Sequence, residues 1–356
     1  MKPIKSDIPI QKLLIRSEEL FTHYRGGVRC PYCGQVHKQY RCADGRYRCS
    51  ICNRRYSLKV GTIFQSSKLS YETIVLGMWF VIAQNVLSSI TLAKLLSISI
   101  SSAWLFIKKL QYSTNQTVKL SDEVSIDEMY LGGSWSNKHT LDKISLLRKY
   151  DIIDEDKYQF TPSEALKCIS LYKSPVFGGN DGKNIFLIQT PTGLTSRTIK
   201  KIFKEHTDNV SVTVSDDSEL YNDWITPIDI NTHSKRRYRT ANGRTSNRIE
   251  GTFSHYKNRF RGSHIHCHRK YIQLYLNLFV FKWNTRNDTM DSSLTQLFAR
   301  INTICTYKHI RAYDSLSVYD TVDKMKKARE QAERLLNSLG AIAESVTING
   351  RTYRRH

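Results

Sequence analysis

Four cysteines near the N-terminus constrain the fold more than any other feature of this chain. They form two CxxC pairs with fifteen residues between the pairs, namely Cys30 and Cys33, then Cys49 and Cys52. Each pair directs two thiolates to one point, and two pairs complete the tetrahedral ligand shell of a zinc ion. The residues from Gln39 to Arg48 predict a hairpin between the pairs. The pattern predicts a zinc ribbon in which Zn is structural.

The charge balance indicates a polyanionic partner. Of 356 residues, 54 are Lys or Arg and 32 are Asp or Glu, which gives a formal net charge of +22. Such an excess favours binding to phosphate backbones, with a membrane surface as the competing partner. The pattern shows no long cationic helix with the Trp, Phe and Leu face that typifies interfacial binding. Double-stranded DNA is therefore the expected partner, and a membrane is not.

The apolar segments predict a globular protein. The most apolar stretch, from Ile74 to Leu87, is shorter than the roughly 18 residues that a spanning helix needs, so it predicts a buried helix. The first seven residues lack the apolar run of an export signal. We therefore expect a cytoplasmic protein whose cysteines stay reduced and bind metal rather than form disulfides.

A helical segment follows the ribbon. Ser70 is in position to cap a helix that starts at Tyr71. Two shorter apolar patterns, over residues 90–96 and 100–110, are separated by three residues, which is typical of a helix-turn-helix motif. An ordinary helical hairpin is the alternative. The second helix carries Lys108 and Lys109, which this interpretation assigns to DNA binding.

Two strands further along the chain run into acids. Residues 124–133 alternate in polarity and contain Asp127, and residues 210–217 form a β-branched strand that reaches Asp216. A carboxylate at the end of a buried strand is costly unless a positive charge lies beside it. Two strands that end alike therefore suggest one shared cation. Between them, residues 183–190 predict another strand and residues 196–206 a helix, which indicates a mixed α/β domain.

A third acid lies in a strongly basic stretch. Between Lys235 and Lys270 the chain has eleven Lys and Arg residues and a single carboxylate, Glu250. The surrounding residues predict a basic amphipathic helix. The carboxylate either forms an internal salt bridge with a neighbouring arginine or holds a cation that a bound polyanion also contacts. The acids on the two strands favour the cation.

These blocks, in this order, resemble the DDE transposases of bacterial insertion sequences, and in particular the ISXO-like group with a zinc ribbon and a helix-turn-helix motif. The resemblance rests on residues 127–133, 215–221 and 247–254, together with the ribbon. It implies a ribonuclease-H-like catalytic domain and a nucleoid-associated bacterial protein. The implied domains are a ribbon with its N-terminal extension (1–68), the helix-turn-helix (69–115), the catalytic domain (116–290) and a C-terminal helical extension (291–356).

The resemblance also implies the catalytic residues. Asp127, Asp216 and Glu250 would hold two Mg²⁺ or Mn²⁺ ions, which clamp the attacking and leaving oxygens of a phosphodiester. Lys257, two helical turns after Glu250, would bind a DNA phosphate. Asn247 is the alternative third ligand, because members of this group vary between Asn and Glu at that position. A long insertion, residues 141–174, departs from the simplest pattern and predicts a solvated acidic loop.

The implied function is metal-dependent cleavage and transfer of DNA strands at the terminal inverted repeats of a mobile element. Pairing two element ends requires at least a dimer. A phosphate-tracking groove is predicted around the site, formed by Arg236, Arg237, Arg239, Arg244, Arg248, Arg259 and Arg261. Two alternatives remain, namely a DNA-binding relative without catalysis and a nuclease of the same fold that cuts without joining.

Overall fold

The structure is a computed structural model. Its described residues are 17–24, 27–34, 36, 39–84, 87–132, 135, 138–165, 168, 173–190, 194–231, 240, 242–263, 267–313, 345–348 and 351–354, the last two ranges as backbone only. The predicted groove residues Arg236, Arg237 and Arg239 lie outside this part of the chain. So do residues 314–344 of the predicted C-terminal helical extension.

The chain alternates short helices with three separate sheets. The helices are α1 (Ser17–Tyr24), α2 (Tyr71–Ala83), α3 (Ser89–Leu96), α4 (Ile100–Ser113), α5 (Thr140–Lys149), α6 (Ser196–His206), α7 (Asn247–Ser263), α8 (Ile272–Asn284), α9 (Met290–Arg300) and α10 (Tyr307–Arg311). The strands are β1 (Gln39–Arg41), β2 (Tyr47–Cys49), β3 (Arg55–Tyr56), β4 (Leu120–Leu131), β5 (Ser174–Asn180), β6 (Ile185–Gln189), β7 (Thr207–Asp216), β8 (Ile228–Asn231), β9 (Ser345–Ile348) and β10 (Arg351–Arg354). The predicted mixed α/β class is confirmed.

The largest sheet has five strands in the order β6-β5-β4-β7-β8. Strand β7 runs parallel to both of its neighbours, β4 and β8. Strands β1 to β3 form the antiparallel sheet of the cysteine-rich segment, and β9 pairs antiparallel with β10. The two strands predicted to carry acids are therefore direct neighbours in one parallel ladder.

The chain divides into two compact units that do not follow sequence order. The first comprises Met1–Asp127, Gly178–Ile188 and Lys200–Tyr313, and the second comprises Glu128–Phe177, Gln189–Ile199 and Asp314–His356. The second unit has a small core around α5, formed by Ile144, Leu147, Tyr150, Ile153 and Cys168. The segment predicted as an acidic loop thus also contains a helix with buried apolar residues, while Asp151, Asp154, Glu155 and Asp156 are exposed as expected.

The first unit is organised around one large apolar core. Buried side chains of α1, of α2 to α4 and of α8 to α10 all contribute to it, including Phe21, Met78, Phe106, Phe281 and Phe298. Helices α1 to α4 and helices α8 to α10 therefore stabilise one another, although they are far apart in sequence.

The helices after the cysteine-rich segment form as their local sequence predicts. Ser70 caps α2 by accepting a hydrogen bond from the Thr73 N–H at 3.2 Å. The backbone turns to an extended conformation at Gln84, so α2 ends at Ala83 rather than at Leu87. Helices α3 and α4 are joined by three residues and bend by 112°. Among the described residues no single helix could cross a membrane, and α3 with α4 reaches the necessary apolar length only as this bent pair.

Candidate functional site

The four predicted cysteine ligands converge on one point. Their Sγ atoms all lie within 4.8 Å of one another, with 3.6 Å between Cys30 and Cys52 and 3.6 Å between Cys33 and Cys49. Tetrahedral zinc with Zn–S bonds of about 2.3 Å would place the sulfurs about 3.8 Å apart. Both the number of thiols and their spacing therefore fit a zinc ion.

The surroundings of the Cys49 thiol favour its thiolate form. The Cys52 backbone N–H, and to a lesser degree that of Ile51, donates a hydrogen bond that lowers the pKa of Cys49 to about 6. The Gln39 amide Nε2 lies 4.0 Å from the Cys49 Sγ, and its Oε1 accepts a hydrogen bond from the Tyr56 hydroxyl at 2.8 Å. Hydrogen bonds to ligand atoms orient them toward a metal.

The parallel register of β4 and β7 brings the two predicted acids together. Ser125 is level with Val214, and the same register continued by two residues sets Asp127 level with Asp216. Adjacent strands lie about 4.8 Å apart, and level residues of a parallel pair project from the same face. The two carboxylates, both half-buried, thus share one face of the sheet. The sequence predicted an acid on each strand, and the structure pairs the two strands in parallel.

Strand β8 extends the same row of polar side chains. Asn231, its last residue, is level with Asp216, and Asp229 is level with Val214. Arg244 links this strand to β4: its Nε lies 2.9 Å from Glu123, and its Nη1 lies 2.6 Å from Asp229. Hydrogen bonds from Arg244, and then from Asn242, lower the pKa of Asp229.

Helix α7 lies close to the sheet because the facing strand has no side chain at one position. A Cβ on Gly178 of β5 would lie 2.8 Å from both Leu187 and Phe253 and 3.1 Å from Ile249. The Asn180 amide then holds the helix by donating to the carbonyl of Arg248 at 3.2 Å and to the hydroxyl of Thr252 at 2.8 Å. These contacts determine where the polar face of α7 lies.

The three candidates on α7 differ in their surroundings. Glu250 is half-buried and accepts a hydrogen bond of 2.5 Å from the buried Ser246 hydroxyl. Asn247 is exposed at the start of the helix, and Lys257 is half-buried two turns after Glu250. An acid in the first turn is also favoured by the helix dipole.

The predicted acids do not meet as the cysteines do. Across the described residues, the cysteine cluster is the one group of three or more His, Cys, Asp or Glu side chains close enough to hold a metal ion. Asp127, Asp216 and Glu250 do not form such a group here. Like charges raise one another's free energy at short range, so three carboxylates converge only against a cation.

The DNA-binding role predicted for Lys108 and Lys109 does not agree with their positions. Lys108 is 1% exposed and Lys109 is 8% exposed. The Lys108 ammonium donates to Gln111 at 2.9 Å and lies 3.4 Å from the ring centre of Tyr275. Both lysines are buried because the C-terminal half of α4 packs into the core. The first residues of the helix, Ile100 and Ser101, are exposed.

Acids that were not predicted from the sequence neutralise part of the positive charge of the predicted arginine groove. Arg248 pairs with Glu123 at 3.0 Å, and Arg244 pairs with both Glu123 and Asp229. The guanidinium carbon of Arg259 lies 5.5 Å from the centre of the Phe279 ring, while Arg261 is exposed. The overlooked signal is the alternation of Asp229 and Asn231 in a short strand before the basic stretch.

Comparison with known proteins identifies the central part of the chain. Residues 119–284, just under half of the chain, match the ISXO2-like transposase domain. No curated protein and no solved structure matches the chain. The matched residues contain β4, β7, β8 and α7, and hence every acid of the predicted site. In this part the chain is similar to the ISXO2-like transposases of insertion sequences.

Proposed function

We propose that this protein is a metal-dependent transposase that cuts and joins DNA at the terminal inverted repeats of its mobile element. The observation that carries the proposal is the parallel pairing of β4 with β7, the two strands that contain Asp127 and Asp216, within the matched domain. The five-stranded sheet, with acids on adjacent parallel strands, supports a ribonuclease-H-like fold for this domain.

Asp127, Asp216 and Glu250 are the proposed ligands of Mg²⁺ or Mn²⁺. Carboxylate oxygens are the ligands that these hard cations prefer, which is the chemical basis of the fit. When bound, such cations make a water or a 3′-hydroxyl nucleophilic and stabilise the leaving oxygen. We favour Glu250 over Asn247 because Glu250 is half-buried and oriented by Ser246. Lys257 contributes a positive charge for a DNA phosphate.

The two N-terminal modules are the proposed readers of the element ends. The zinc-bound ribbon would present its exposed arginines to the DNA backbone. The bend of 112° between α3 and α4 lies within the range of helix-turn-helix motifs. Base contacts in such motifs come from the start of the second helix, which here is Ile100 and Ser101 rather than the buried lysines. Cleavage of two paired ends implies at least a dimer.

The Asp127→Ala variant tests this function. We expect it to bind DNA that carries the inverted repeats as the wild type does, and to lose Mg²⁺-dependent cleavage by at least about a hundredfold, because one cation ligand is missing. Gel-shift and strand-cleavage assays on the same labelled end would measure both properties.

Matched controls make the result decisive. Asp151→Ala removes an exposed acid of the second unit and should leave both properties unchanged. Retained cleavage by Asp127→Ala would remove Asp127 from the site. A wild-type protein that cuts the end but never joins it to target DNA would be a nuclease, and one that binds without cutting would be a non-catalytic relative.

A further inference from the structure

A buried amide without a hydrogen-bond partner lies beside the proposed site. Asn231 is 0% exposed, and neither its Oδ1 nor its Nδ2 has a partner in the described part of the chain. Leaving such a group unsatisfied costs free energy, because its hydrogen bonds to water are lost and not replaced. Buried polar groups are nearly always paired, so an exception of this kind calls for a physical reason.

The position of this amide in the sheet supplies a reason. Asn231 is level with Asp216 across the parallel pair of β8 and β7, and Asp127 is level with Asp216 on its other side in the continued register of β4. Three polar residues thus form one row across three strands. The Ser125 hydroxyl, two residues before Asp127 on the same face, is also buried without a partner among the described residues.

Two other amides near the proposed site have hydrogen-bond partners, unlike Asn231. Asn180 donates to α7 through two hydrogen bonds, and Asn242 donates to both oxygens of Asp229. The Asp216 carboxylate, by contrast, accepts from the Ser218 backbone N–H at 3.3 Å. A carboxylate that turned to ligate a cation would offer a free oxygen lone pair to the neighbouring amide.

We infer that Asn231 is a positioning residue for the catalytic cation. Its Nδ2 would donate to the Asp216 carboxylate, one of the proposed cation ligands, and so hold that carboxylate in the orientation that a cation requires. This inference rests on the proposed function. Hydrogen-bond partners of metal ligands typically contribute 10- to 100-fold to metal affinity.

The Asn231→Leu variant separates this role from a structural one. Leucine has a similar branched shape but no polar atoms, so the cation-free protein should lose nothing in thermal stability and gain slightly. Its affinity for Mn²⁺ should fall by about 10- to 100-fold. Mn²⁺ binding to the full-length, zinc-loaded protein can be measured by electron paramagnetic resonance, and unfolding by thermal melting without added Mn²⁺.

Asn277→Leu is the matched control. Asn277 is a buried amide of α8 that accepts from Gln273 at 2.8 Å and donates to the Gln111 carbonyl. Its replacement should lower thermal stability and leave Mn²⁺ affinity unchanged, which is the opposite pattern. Asn231→Ala, with a smaller side chain, provides a second test in case leucine does not fit.

The outcomes are distinct. Unchanged Mn²⁺ affinity in a folded Asn231 variant overturns the inference, and so does failure of both variants to fold without metal, because the amide would then be structural. Asp127→Ala is measured in parallel. If the wild type does not bind Mn²⁺, or Asp127→Ala binds it equally well, the proposed function itself fails.

Discussion

Burial decides the role of individual charged residues in this protein. Lys282 on α8 is enclosed by the helical core, where its ammonium donates to the carbonyls of Val81 and Gln84. Burial lowers its pKa to about 7, and burial likewise lowers the pKa of Lys108 to about 7. Two of the 54 basic residues are thus held where their charge destabilises the fold near neutral pH.

The Lys282→Met variant tests this effect through the pH dependence of stability. Between pH 7 and the ordinary lysine pKa of 10.5, the unfolded chain keeps a proton that the folded protein has released. The unfolding free energy of the wild type should therefore rise relative to the variant as pH increases, by up to about 1.4 kcal/mol per pH unit. Below pH 7 Lys282 is charged in the folded protein as well, and burial of this charge destabilises the wild type fully. The unfolding free energy of the variant then exceeds that of the wild type by the largest amount.

Urea denaturation at pH 6.5, 8 and 9.5 would measure the difference. Lys201→Met serves as the control, since the Lys201 side chain is 77% exposed and its removal should leave no such trend. If the unfolding free energies of the wild type and of Lys282→Met changed in parallel with pH, the lowered pKa of Lys282 would be contradicted.

At the scale of elements, the approach of α7 to the sheet depends on a single missing side chain. Gly178→Ala would place a Cβ 2.8 Å from Phe253 and Leu187, both in the buried interface. We expect a loss of unfolding free energy of about 1–3 kcal/mol, because an overpacked interface forces strained side chains or a displaced helix. The displacement would also move Glu250, so cleavage should fall together with stability.

A second glycine provides the comparison. Gly251 lies within α7, and a Cβ there would meet nothing within 4 Å. Gly251→Ala should stabilise the protein by about 0.5–1 kcal/mol, because alanine favours the helix. Chemical denaturation of both variants measures the contrast. Equal stability of Gly178→Ala and the wild type would show that the interface tolerates the extra atom.

At the scale of the whole molecule, only exposed charge can contact DNA. The formal net charge of +22 predicts DNA binding that weakens steeply with salt. Arg261→Ala removes an exposed residue of α7 and should reduce the slope of log K against log salt by about one. Lys109→Ala removes a charge that is 8% exposed, so it should leave the slope unchanged.

Fluorescence anisotropy with labelled DNA over a range of KCl concentrations would give both slopes. A reduced slope for Lys109→Ala would restore the DNA-contact role first predicted for α4. An unchanged slope for Arg261→Ala would mean that the exposed arginines of α7 face away from DNA.

Local chemistry explains the parts of the fold that could be predicted from sequence. Helix α6 begins and ends at the predicted residues, Ser196 and His206, and Ser70 caps α2 as predicted. The cysteine pairs were recognisable because a CxxC turn directs both thiols by itself. The burial of Lys108 and the ion pairs of Arg244 could not be predicted in this way. Each depends on contacts with elements that are more than a hundred residues away in the sequence or lie across a sheet.

The sequence alone determined which residues can carry the chemistry: four thiols at ribbon spacing, an acid on each of two strands and a third acid in a basic helix. These follow from spacing and backbone periodicity, which the covalent chain dictates locally. The tertiary structure decided which of them become neighbours. The pairing of β7 with β8 set Asp216 level with Asn231, the parallel pairing of β4 with β7 made the strand of Asp127 their neighbour, and the approach of α7 followed from Gly178. Register and packing depend on contacts between distant segments, and no local pattern specifies them.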